Sequence, residues 1–142
     1  MVHAAGQHGS WVEREGTTAE DRRTQGVVLF LHGGGYVFGN IATHQTLVSY
    51  MARDLGRALL FVEYRLAPEH PLPAAVDDTQ AALRWLVEDQ GIPPARITLM
   101  GHSAGGGLAL LALQRLRDQG AAMPAGAVLM SAYTDLSASF EV

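Results

Sequence analysis

"GHSAGGG", residues 101–107, decides how the rest of the chain reads. It follows the apolar run "RITLMG" (96–101) and opens a leucine-rich stretch that reaches Gln119. A strand-like run passing directly into a helical one through G-x-S-x-G implies a sharp strand-to-helix turn. Gly101 and Gly105 leave room for the strained backbone of such a turn. The turn would hold the Ser103 hydroxyl above a sheet, at a helix N-terminus that favours negative charge. Taken alone, the pattern is short enough to recur by chance, and a small residue in a tight turn accounts for it equally well.

Three more strand-like runs lie around it: "VVLFLH" (27–32), "ALLFVEY" (58–64) and "AVLMS" (127–131). All are nearly continuous in apolar character, as parallel strands covered on both faces require. A weaker, alternating run at 10–15 is expected at a sheet edge. Helices alternate with the strands. The first runs from an N-cap at Thr43 to Leu55, with Leu47, Met51 and Leu55 on one side and Gly56 as its stop. The second follows Pro73 and runs to Asp89, with Val76, Leu83 and Leu86 apolar. The third begins at Ser103 and should be the most buried, since leucines at 108, 110, 111, 113 and 116 leave it little polar face. This alternation predicts a three-layer α/β fold, a mainly parallel sheet flanked by helices. Right-handed crossovers favour the strand order 58–64, 27–32, 97–101, 127–131. A ligand crevice then falls at the carboxyl ends of 27–32 and 97–101, where the chain direction reverses. Residues 1–25 read as a poorly defined leading segment and 26–142 as the core domain.

Composition narrows the function classes. The chain has 142 residues, 48% hydrophobic and 17% charged, with a net charge of −4. All ten basic residues are arginine and they form no basic stripe, so nucleic acid is not an expected partner. With no cysteine, disulfides and thiolate metal sites are excluded. No metal or other cofactor is expected. The first 26 residues carry no apolar signal region, and no apolar run approaches the ~18 residues of a membrane helix, so a cytoplasmic location is expected. In the irregular stretch "YRLAPEHPLPAAVDD" (64–78), Arg65, Glu69, Asp77 and Asp78 are expected to form structural ion pairs.

"HGGGY" (32–36), at the end of the first strong strand, gives Ser103 its context. Consecutive glycines at 33, 34 and 35 expose backbone N–H groups that can receive an oxyanion together with the N–H of Ala104. Backbone does that work, so His32 is expected to orient the loop and not to act as a base.

With these residues in place, the chain resembles the hormone-sensitive-lipase-like branch of the α/β-hydrolases. "HGGGYVFGNIATH", "YRLAPEHPLPAAVDD", "GHSAGG" and "SAYTDLSAS" match that branch in order and spacing over about residues 25–140. The resemblance implies a carboxylic-ester hydrolase for short or medium acyl chains. It implies Ser103 as the nucleophile and the N–H groups of Gly34, Gly35 and Ala104 as the oxyanion hole. The family usually has Asp where this chain has His102, and the His102 ring is expected to point away from Ser103. The family's acid and histidine follow later strands. His3, His8, His44 and His70 have no sequence argument for reaching Ser103, and the counterpart of Asp135 is structural. The chain therefore reads as the N-terminal part of such an enzyme, a partial fold without the C-terminal strands and cap.

Two other readings remain at this point. One is an inactive remnant that acts as an interaction or oligomerisation module. The other is a phosphate-binding α/β domain, which the missing G-x-G-x-x-G and G-K-[ST] patterns disfavour. An unpaired edge at 127–131 is expected to drive homo-oligomerisation, or pairing with a complementing C-terminal half.

Overall fold

The run Val27–Leu31 is buried at every position, and so is Ala58–Val62. Strands apolar on both faces must be covered on both faces, and they form the centre of the sheet. The computed structural model describes residues 1–137. It contains one six-stranded sheet in the order β1-β2-β4-β3-β5-β6. The strands are β1 (Val2–Ala4), β2 (Gly9–Val12), β3 (Val27–Leu31), β4 (Ala58–Val62), β5 (Ile97–His102) and β6 (Gly126–Met130). β4, β3, β5 and β6 pair in parallel, in the order expected from the sequence. β1 and β2 add antiparallel. The helices are α1 (Ala19–Gln25), α2 (Ile41–Leu55), α3 (Ala74–Glu88) and α4 (Ala104–Asp118).

Side chains alternate between two cores. Leu29, Leu31, Leu60 and Leu99 meet Val76, Leu83 and Leu86 of α3 and Leu108 and Ala109 of α4. On the opposite face Val28, Phe30, Leu59, Phe61 and Met100 meet Val48 and Ala52 of α2. The sheet is thus mainly parallel with helices on both faces, the α/β fold expected. Helix α4 buries eight of its fifteen residues, more than any other helix.

Several details differ from the sequence reading. The run at 10–15 is not an edge: β2 covers Gly9–Val12 and lies between β1 and β4. Trp11 and Val12 are both buried, which an edge strand does not achieve. The leading segment is ordered around buried Glu13. Its carboxylate pairs with Arg22 of α1, from Nε at 2.9 Å, and with His3 Nε2 of β1 at 2.6 Å. Helix α1 was not expected, although Thr18 and Asp21 carry its capping box and Gly26 its stop. Helix α2 starts at Ile41 and not after Thr43. Asn40 is its cap, and Thr43 supplies the reciprocal bond to the Asn40 N–H. The Ile41 N–H also donates to Glu63 Oε1 at 2.8 Å, which fixes the helix start to the end of β4. The buried side of α2 is Val48 and Ala52, while Leu47 and Leu55 are exposed. The small Ala52 lets the helix approach the sheet more closely than a leucine would.

Arg65 does pair with Asp78, at 2.9 Å. Asp77 instead pairs with Arg115 of α4, and Glu69 joins no ion pair among the described residues. No helix among the described residues is long and apolar enough to cross a membrane.

Candidate active site

Ser103 sits between β5 and α4 with φ 54° and ψ −119°, a conformation that L residues rarely adopt. Holding a non-glycine residue there costs about 1–3 kcal/mol, so the surroundings must impose it. They do so through the backbone. The Ser103 N–H donates to the Met130 carbonyl at 2.9 Å. Its own carbonyl accepts from the N–H groups of Gly106, Gly107 and Tyr133 at 2.9, 3.2 and 2.9 Å. The turn also needs close passage of two chain segments. A Cβ on Gly105 would lie 2.0 Å from the Leu31 carbonyl oxygen, and one on Gly101 would lie 2.3 Å from the Gly105 oxygen. Ser103 is partly exposed, and no side chain among the described residues hydrogen-bonds its hydroxyl.

The HGGGY loop reaches the same place from the end of β3. A Cβ on Gly33 would stand 3.3 Å from Ser103 Cβ. The two glycine-rich turns therefore lie side by side at the carboxyl ends of β3 and β5, where the strand order reverses. Gly34 has φ 130° and no room for a side chain, since a Cβ would meet the Phe38 carbonyl oxygen at 1.9 Å. The Gly34 carbonyl accepts from the N–H groups of Val37 and Phe38 at 3.1 and 3.2 Å, which closes the loop. Among the described residues, the N–H groups of Gly34 and Gly35 meet no acceptor. The N–H of Ala104 belongs to the first turn of α4, where the donors lack intrahelical partners.

His32 is fully buried beneath this loop. Its ring stacks on Tyr64 at 4.3 Å and on Phe61 at 5.3 Å. Its Nδ1 is 2.7 Å from the Gly33 carbonyl oxygen, and the Tyr64 hydroxyl donates to the His32 carbonyl at 2.6 Å. Burial pushes the His32 pKa below the usual histidine value, which the Gly33 contact offsets only in part. A neutral ring donates from Nδ1 to Gly33, which ties the ring to the start of the loop. The sequence reading missed Tyr64. It opens "YRLAPEHP", a stretch read for its charges and its family match but not for a role of Tyr64.

Among the described residues, the His102 ring makes no hydrogen bond to Ser103. It is exposed and lies over Gly33, where a Cβ would meet its Nδ1 at 2.9 Å. The absent side chain at Gly33 makes room for it. Of the other histidines, His3 pairs with Glu13 and His8 lies against Trp85 with ring centroids 5.0 Å apart, while His44 bonds the Asn40 carbonyl and packs its ring 5.3 Å from that of His32. The backbone of His70 joins the loop, its N–H donating to the Leu66 carbonyl. Asp135 accepts from the N–H and hydroxyl of Ser137, at 2.9 and 2.6 Å, and both bonds lower its pKa. That is a turn-forming contact.

A strained serine at a strand-to-helix turn, faced by a glycine loop from the neighbouring strand, defines a class of folds that comparison with known proteins identifies. Residues 28–141 match the alpha/beta hydrolase fold family, and the chain belongs to it, within its hormone-sensitive-lipase-like branch. It is similar to an acetyl-hydrolase of Streptomyces hygroscopicus, 50% identical over 118 residues, which are 83% of this chain and 38% of the relative. The crystal structure of EstE5 superposes with a TM-score of 0.86 at 44% identity, covering 99% of this chain and 46% of that one. An esterase from the bacterial hormone-sensitive lipase family superposes at 0.82 with 46% identity, covering 92% of this chain and 42% of its own. The chain thus spans less than half the length of these relatives.

Proposed function

We propose that this chain carries the nucleophile and oxyanion-hole half of a serine-dependent carboxylic-ester hydrolase for short or medium acyl esters. The supporting observation is Ser103 at φ 54° with Gly33 packed against its Cβ. In this mechanism Ser103 Oγ attacks the ester carbonyl carbon while a histidine takes its proton and a carboxylate orients that histidine. The negative charge on the former carbonyl oxygen is received by the N–H groups of Gly34, Gly35 and Ala104. The alcohol leaves with the proton returned by the histidine, and water then releases the acyl group from Ser103. The histidine and carboxylate come from sequence corresponding to the remaining part of the longer relatives. Without them the Ser103 hydroxyl has no base, and turnover falls by about 10⁶ relative to a complete triad.

Complementation tests this reading. The 142-residue chain is mixed with the C-terminal part of the acetyl-hydrolase relative and assayed on p-nitrophenyl acetate. Turnover that needs both parts and vanishes in Ser103→Ala supports the assignment. Turnover that persists in Ser103→Ala overturns it.

A second reading, an interaction or oligomerisation module, draws on β6. This strand is the outer one of the sheet, with Val128 45% and Leu129 36% exposed. The ladder groups on its outer side, unpaired among the described residues, favour pairing with a second copy or with the complementing half. A chain that sediments as a monomer at high concentration counts against the homo-oligomer.

A further inference from the structure

Two large apolar side chains lie in the open beside the glycine loop. Phe38 is 67% exposed and Val37 is 52% exposed, whereas every residue of β3 and β4 is buried. Both belong to the turn closed on the Gly34 carbonyl, so their positions are fixed by the loop and not by packing beneath them. The Phe38 ring touches Gly34: a Cβ there would stand 3.4 Å from Phe38 Cδ2. Val37 Cγ2 would stand 4.0 Å from a Cβ on Gly35. These are the two glycines whose N–H groups meet no acceptor, and Gly33, next in the chain, packs against Ser103. No charged side chain hydrogen-bonds this turn among the described residues. Exposed aromatic and branched side chains at the rim of a polar catalytic notch are the usual arrangement for a site that orients a carbonyl and sequesters a hydrocarbon.

We infer that Phe38 and Val37 form the contact surface for the hydrocarbon chain of the ester, and so set its chain-length preference. This rests on the esterase reading above. The carbonyl oxygen faces the glycine N–H groups, and the chain leaves the crevice across the Phe38 ring and the Val37 methyls. Each methylene this surface covers fully strengthens binding by about fourfold. It favours neutral, unbranched chains over charged ones, because nothing on the turn can pair with a charge.

The test has two arms. On the 142-residue chain, 2-decanone serves as a neutral carbonyl probe with a long tail, followed by NMR. Shifts of the Phe38 ring, the Val37 methyls and the Gly34 and Gly35 amides are expected together. Phe38→Ala should weaken binding of 2-decanone about tenfold while acetone binding changes much less. In the complemented enzyme, p-nitrophenyl octanoate is compared with p-nitrophenyl acetate, and octyl acetate with ethyl acetate. These pairs distinguish the acyl chain from the alcohol chain. In one of the pairs, Phe38→Ala should lower the long-to-short ratio of kcat/KM about tenfold, and Phe38→Leu should restore most of it. Amide shifts at Gly34 and Gly35 without any response at Phe38 or Val37 would overturn the inference and leave the esterase reading intact. So would an equal loss for long and short esters. Absence of any 2-decanone binding also overturns it, while Ser103-dependent turnover reports separately on the esterase reading.

Discussion

Substituting Gly105 by alanine tests how the nucleophile turn is built. The new methyl group would stand 2.0 Å from the Leu31 carbonyl oxygen, 2.5 Å from its carbon and 2.7 Å from the His32 oxygen. Ordinary carbon–oxygen contacts begin near ~3.3 Å, so the start of α4 must lift from the end of β3 by about 1 Å. The obstructing atoms are backbone of a buried central strand and cannot rotate aside. The penalty therefore belongs at the upper end of overpacking, about 3 kcal/mol. Alanine recovers up to ~1 kcal/mol through its better helix propensity. The net loss is about 2 kcal/mol, which lowers Tm by roughly 5–8 °C for a chain of this size. Urea unfolding followed by far-UV circular dichroism measures it. Two other glycines calibrate the result. Gly120→Ala meets open space but has φ 64°, and should lose about 1 kcal/mol to backbone strain. Gly126→Ala meets neither obstacle and should stay near wild type. A Gly105→Ala protein within ~0.5 kcal/mol of wild type would refute the close-passage account of the turn.

Three further outcomes are expected. Ser103→Gly should stabilise the fold by about 1 kcal/mol in urea melts, because glycine adopts φ 54°, ψ −119° without strain, whereas Ser103→Ala should not. Burial raises the Glu13 pKa, but hydrogen bonds and charges from Arg22 and His3 outweigh this and hold it below the usual glutamate value. Its contribution to stability is then complete above the unfolded-state pKa and disappears as pH falls through the folded one. Glu13→Gln should accordingly flatten the acid side of the stability–pH curve, as measured by Tm between pH 3 and 7. Tyr64→Phe removes the buried donor to the His32 carbonyl and should lower stability by about 1–3 kcal/mol. It should also speed amide exchange at Val37 and Phe38, whose N–H groups donate to the Gly34 carbonyl, which hydrogen-exchange NMR would detect.

Local pattern carried much of this architecture. The four parallel strands were legible because each is apolar at nearly every position, and their order followed from the handedness of the crossovers. The adjacency of HGGGY and GHSAG followed in turn, since both motifs end neighbouring strands at the reversal point. The glycines at 101 and 105 read as room for a strained turn; the structure instead uses them for close backbone approach, and the positive φ falls on Ser103 itself.

What the sequence left open depends on contacts between residues far apart in the chain. Nothing local in Gly9–Val12 states that it pairs with β4 on one side and β1 on the other, because an antiparallel addition depends on partners elsewhere. The face of α2 that is buried was misjudged because leucine spacing records hydrophobicity, whereas the sheet selects the smaller Val48 and Ala52 that permit close contact. The role of Tyr64 emerged only when folding brought its hydroxyl to the carbonyl of His32. Sequence alone determined the four parallel strands, their order and the place of the Ser103 turn. Tertiary structure decided what holds the nucleophile loop in place, because those contacts cross between elements and leave no periodic trace in either.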